Sequence, residues 1–193
     1  MEPIQNKVAE SEIEVFNLED LWDGKAIVEI DVADFLVEGL VLREKDFRTR
    51  VKETDWAAYA DSHVAFGCTT DAIVPTWAYM LIASKLAGVA TSVSLGTRAE
   101  LVRDYFVRSL EAFDWERYRD VPVVVKGCGS RLVPTVAYSI AAEKLLHVAR
   151  KVMYGEPCSS VPIWRRASAG AAGDERKSAP AKVVGARLPS GRT

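Results

Sequence analysis

The chain has 193 residues, of which 49% are hydrophobic and 27% charged, with a formal net charge of −2. That length allows a full hydrophobic core, the composition is that of an ordinary soluble protein, and its apolar runs are too short to span a bilayer. The charge is divided. From Arg165 onward seven bases meet two acids, a net of +5, which leaves −7 on the remainder, and an acidic body argues against nucleic-acid binding as the main task.

The opening residues, Met1-Glu2-Pro3-Ile4-Gln5, lack a basic segment followed by an apolar run. A secretory signal is therefore not expected, and a cytoplasmic location follows. After a polar lead-in, Ile13 to Leu18 and Ala26 to Val32 both alternate, and the turn signal Trp22-Asp23-Gly24-Lys25 between them predicts an N-terminal β-hairpin or a pair of neighbouring strands. Asp34 to Glu53 reads as a helix broken near Gly39, with Phe47 and Val51 on one face. Ser62 to Cys68 is a strand without alternation, which suggests burial on both faces in a parallel sheet. Pro75 to Ala87 is a helix, apolar nearly all round and so expected to be mostly buried, followed by a strand over Ala90 to Leu95. Thr97 with Glu100 three residues on forms a capping-box pattern at the head of the next helix. A strand over Val121 to Gly127, a helix over Pro134 to His147, a strand over Ala149 to Tyr154 and a turn-rich exit over Gly155 to Pro162 complete the pattern.

The second half repeats the first. Asp55-Trp56-x-x-Tyr59-x-Asp61 recurs as Asp114-Trp115-x-x-Tyr118-x-Asp120, 59 residues later. Leu42, Phe47 and Val51 match Leu101, Phe106 and Leu110, and Lys85-Leu86 matches Lys144-Leu145, at the same spacing. Gly67-Cys68 and Gly127-Cys128 each lead through a short loop into Pro-Thr-x-Ala-Tyr, ending at Tyr79 and Tyr138. A tandem duplication is expected, with units of about 38–96 and 97–155. The whole then reads as one α/β domain over 1–164: a layered, mainly parallel sheet with helices on both faces. The basic segment 165–193, poor in large apolar residues, is expected to be a disordered tail.

Ligands bind beyond the carboxyl ends of parallel strands, and Cys68, Cys128 and Cys158 each follow a strand. Three thiolates converging on one sheet edge would suit a metal or an iron–sulfur cluster, with Asp71 as the expected fourth ligand. Their sulfurs should then lie within roughly 10 Å of one another. The same residues leave two other readings open. One cysteine could serve as the nucleophile of an enzyme or as a sulfur carrier, with the helix N-termini as an anion site. All three could equally be small buried hydrophobes in an interaction module without site chemistry, because no C-x-x-C pair is present. His63, His147, Tyr79, Tyr138 and the paired Asp-Trp-x-x-Tyr-x-Asp segments read as structural, and no phosphate loop or nucleophile elbow occurs.

The segments Arg43-Glu44-Lys45-Asp46-Phe47-Arg48, Asp71 to Met80, Lys126-Gly127-Cys128-Gly129 and Met153-Tyr154-Gly155-Glu156-Pro157-Cys158-Ser159 resemble one bacterial family, domain of unknown function 2480. The likeness runs from about Asn6 to Trp164 and leaves the tail outside. The family carries no established activity. Its genes lie near iron–sulfur assembly genes in some genomes, so the resemblance implies cluster chemistry and iron–sulfur assembly proteins as partners. It assigns no residue roles.

Overall fold

The structure, a computed structural model, describes residues 13–127, 129 and 132–167. Cys128, the polar lead-in and the greater part of the expected tail lie outside the described residues.

The chain begins with β1 (Glu14–Asn17) and β2 (Ile27–Asp31), each followed by a short 3-10 turn capped by the last strand residue. Asn17 accepts from the Glu19 amide and Asp31 from the Ala33 amide. Then follow α1 (Glu44–Glu53), β3 (His63–Gly67), α2 (Thr76–Leu86), β4 (Ser92–Leu95), α3 (Arg98–Ala112), β5 (Pro122–Lys126), α4 (Thr135–Val148), β6 (Lys151–Tyr154) and β7 (Val161–Arg165).

The strands form two sheets, where one was expected. The three-stranded sheet has the order β2-β3-β4, all parallel. The four-stranded sheet has the order β1-β5-β6-β7, parallel except for the antiparallel β6–β7 pair. The expected N-terminal hairpin is therefore corrected: β1 and β2 do not pair with each other but each joins a different sheet. The reason lies in their connection. The 3-10 turn Leu18–Leu21 and the segment Trp22 to Lys25 carry the chain from one sheet to the other, and Tyr105 Oη fixes this passage by donating to the Leu21 carbonyl over 2.7 Å.

Burial of β3 on both faces is as expected, with His63, Val64, Ala65 and Phe66 all buried. Val64 and Phe66 enter a core with Phe47 and Val51 of α1 and with Ala78, Ile82 and Leu86 of α2. Ala65 enters a second core with Leu101, Phe106 and Leu110 of α3, with Ala137, Ala141 and Leu145 of α4, and with Phe16, Val123, Val125 and Val152 of the other sheet. The helices α3 and α4 thus join the two sheets.

Three helices start where proline or a cap places them. Thr97 and Glu100 make the capping box at α3, while α2 and α4 follow Pro75 and Pro134 without a side-chain cap. Two readings change. The break expected near Gly39 is present, since Glu38 and Gly39 take left-handed φ values of 51° and 71° and the chain turns back in a Val37–Val41 bridge, but before it the chain forms only a 3-10 turn, Val32–Phe35, and α1 starts at Glu44. The apolar helix α2 is buried on one side only, and Met80 is 67% exposed. The strand β7, hidden in the sequence by Pro162, sits at a sheet edge, where a residue without an amide hydrogen is tolerated.

Candidate functional site

The Asp-Trp-x-x-Tyr-x-Asp segments stand before β3 and β5, and their role is structural. Asp55 and Asp114 cap 3-10 turns by accepting from the Ala57 and Glu116 amides, each at 3.1 Å. Trp56 and Trp115 donate their indole N–H to the Val51 and Leu110 carbonyls at 2.8 and 3.0 Å, closing the end of the preceding helix. Asp61 and Asp120 both turn the chain into the strand in the left-handed region, at φ 56° and 58°. Aspartate is one of the few side chains that tolerate this conformation.

At the same amino side of β3 lies a polar group around His63, which the sequence reads as structural without naming its partners Asp23 and Ser92. His63, with no exposed surface, is flanked by the Trp22 and Tyr105 rings at 4.6 and 5.0 Å. Its Nε2 meets Asp23 Oδ1 at 2.8 Å, and its Nδ1 meets Ser92 Oγ at 2.8 Å. Burial tends to raise the Asp23 carboxyl, but the hydrogen bonds from His63 and the Lys25 amide outweigh it and hold Asp23 below its ordinary value. Burial, helped by the Asp23 charge, pushes Tyr105 up. Asp23, His63 and Ser92 line neither of the clefts described below, and the group reads as a lock between the β1–β2 passage and the three-stranded sheet.

The carboxyl side is different. A cleft of about 430 Å³ opens over the ends of β2, β3 and β4, lined among others by Glu29, Asp31, Cys68, Thr69 and Tyr79. Cys68 is half-buried, and its Sγ lies 3.6 Å from the Thr70 carbonyl oxygen and 3.4 Å from Thr70 Oγ1. Thr70 Oγ1 in turn donates to the Gly39 carbonyl over 2.7 Å, so the cysteine loop is tied to the loop after β2. Asp31 accepts from the Thr69 amide at 3.2 Å and from the Thr69 hydroxyl. Burial raises the Asp31 carboxyl, and these bonds together with the Ala33 amide overcome that and hold it low. Burial raises Tyr79, and the neighbouring Cys68 adds to the effect. Tyr79 is therefore a neutral hydroxyl at the cleft, half-buried where a core position was expected. Ser94 Oγ is, among the described residues, the one buried side-chain oxygen or nitrogen without a hydrogen-bond partner. It pairs in register with Ala65, a lining residue, and stands on the same face.

A second cleft, of about 550 Å³, lies between α4 and the strands β5, β6 and β7. Tyr138, the counterpart of Tyr79, lines it with Tyr154, Met153 and Ile163, and among the described residues its lining holds hydroxyl groups but neither a carboxylate nor a thiol. The chemistry therefore points to the smaller cleft.

Two of the three cysteines of the expected centre follow strands of different sheets. Cys68 follows β3 of the three-stranded sheet, whereas Cys158 is exposed between β6 and β7 of the four-stranded one. The premise that all cysteines share one sheet edge is thereby corrected. Asp71 is exposed on the Cys68 loop. Among the described residues no group of three or more His, Cys, Asp or Glu is placed to hold a metal ion. No described helix is long and apolar enough to cross a membrane. The α3 N-terminus, next to the Cys68 cleft, is occupied by the chain itself. Glu100 caps it, and a Cβ built on Gly96 would lie 2.3 Å from Glu100 Oε2.

No curated protein and no solved structure matches the chain. The family described as protein of unknown function (DUF2480) matches residues 2–166, and the chain belongs to that family.

Proposed function

We propose that the protein binds a small molecule over the carboxyl ends of β2, β3 and β4 and acts on it through the Cys68 thiol, as a cysteine-dependent enzyme or sulfur carrier. One observation carries this reading: Cys68 lines a cleft together with a carboxylate, Asp31, and a neutral tyrosine hydroxyl, Tyr79. A thiol beside an acid and a hydroxyl has the parts for nucleophilic attack and proton transfer. Cys158 is exposed but lines neither of the two clefts.

Disulfide-exchange capture tests the proposal. The intact protein is equilibrated with a library of small disulfides under a competing thiol, and each cysteine is read by peptide mass mapping. Cys68 is expected to retain selected fragments against competition and Cys158 to retain none. Capture at Cys68 no better than at Cys158 would remove the cleft as a site. Metal analysis of anaerobically purified protein provides the opposing arm. Stoichiometric iron or zinc that is lost in Cys128→Ser would favour instead a centre formed by Cys68, Cys128 and Cys158.

The two units are also read as products of a duplication. Support comes from the matched hydrogen bonds of Trp56 and Trp115, the left-handed Asp61 and Asp120, and the buried pairs Phe47/Phe106 and Leu86/Leu145.

A further inference from the structure

We infer that the Cys68 cleft receives a small molecule with a cationic or amine head and an apolar body, and turns anions away; this rests on Cys68 being the reacting group. Two carboxylates, Glu29 and Asp31, line the cleft, and among the described residues no lysine, arginine or histidine does. Asp31 is held ionised by the Thr69 and Ala33 donors. Glu29 accepts from the Arg98 amide at 3.2 Å, but the Arg98 guanidinium turns away, to the carbonyl of Ile27 at the start of β2. Four residues separate Ile27 from Asp31, about 13 Å along the strand.

The helix N-termini do not reverse this field. Glu100 occupies that of α3 with its own carboxylate. The first turn of α2, without a side-chain cap, offers roughly half a positive charge, against two full negative charges. Ile30, Ala65, Leu95 and the Tyr79 ring supply the apolar part of the lining. The other unit lacks this arrangement. The last register pair of β2 and β3 is Asp31 with Gly67, whereas that of β1 and β5 is Asn17 with Lys126, and Lys126 lies 3.6 Å from Glu156. Among the described residues, carboxylates therefore line the Cys68 cleft and not the other.

The test uses the full-length protein and three methanethiosulfonate reagents of similar size, one with a trimethylammonium group, one neutral and one with a sulfonate. Labelling rates are read separately at Cys68 and Cys158 by peptide mapping. The cation-to-anion rate ratio at Cys68 is expected to exceed that at Cys158 by about tenfold at low salt and to shrink in concentrated salt. Glu29→Gln, at an exposed position, and Asp31→Asn, which keeps a capping side chain, should each narrow the ratio. Equal ratios at the two cysteines, or ratios unchanged in both variants, would overturn the inference while leaving Cys68 as the reacting group. Failure of Cys68 to react with any of the three reagents would remove both.

Discussion

The amino and carboxyl sides of the two units differ in kind. On the amino side the first and second units use the same devices: a capping aspartate, an indole closing the helix, and a left-handed aspartate entering the strand. On the carboxyl side, among the described residues, the cleft of one unit is lined by a thiol with two carboxylates and that of the other by two tyrosines and a residue of the added strand β7. The difference separates support from chemistry. Turns into buried strands tolerate few solutions, whereas strand ends can exchange side chains without disturbing the core.

Four experiments can break or sharpen this comparison. The largest effect is expected in the cores, where Phe47→Ala and Phe106→Ala should each destabilise by about 3–5 kcal/mol in urea unfolding. Both phenylalanines are fully buried at matched positions, so a small loss at one alone would break the equivalence. Next is His63→Ala, which strands Asp23 and Ser92 and should cost about 1–3 kcal/mol. The second unit begins the matching strand with Pro122, so this lock belongs to the first unit only. Trp56→Phe and Trp115→Phe each remove one hydrogen bond to a helix end and should cost about 1 kcal/mol, equally in both units.

The smallest effect concerns acid. Asp23 and Asp31 are held below the ordinary value of 3.8, so their contribution is present in full above that pH and is lost as pH falls through their lower folded values. Asp23 is partly exposed and Asp31 half-buried, so solvent screening keeps the loss modest. Unfolding midpoints followed below about pH 4 should fall less steeply in Asp23→Asn than in the parent. Identical slopes would show that the Asp23 carboxylate does not contribute.

Several element starts were legible because their signals are local. The Thr97–Glu100 box, the prolines before α2 and α4, and the unbroken apolar run of β3 all act within a few residues. Strand partners were not legible, because apolar strands carry no label for which neighbour they choose, so two sheets read as one and β1 and β2 as a hairpin. The early end of the helix before α1 turned on Glu38 adopting a positive φ, which is uncommon for glutamate. The cleft was visible only in part. Cys68 marked the strand end, but Asp31 and Tyr79 reach it from β2 and α2, and only the fold sets that distance. The single cysteine edge failed for the same reason, since it assumed a single sheet.

The passage between the sheets also sets an order of events during synthesis. β1 is made first, yet its partner β5 follows far behind, with Glu14 in register with Val123, 109 residues later. At about 5–20 residues per second the first strand waits roughly 5–20 s for that partner. Meanwhile β2, β3 and β4 are complete by Leu95 and close their own sheet. The newborn chain therefore trails an unpaired strand from a half-built molecule, and the four-stranded sheet closes around it last. Proteolysis of ribosome-arrested chains of increasing length is expected to show protection of β3 well before protection of β1; simultaneous protection would exclude that order.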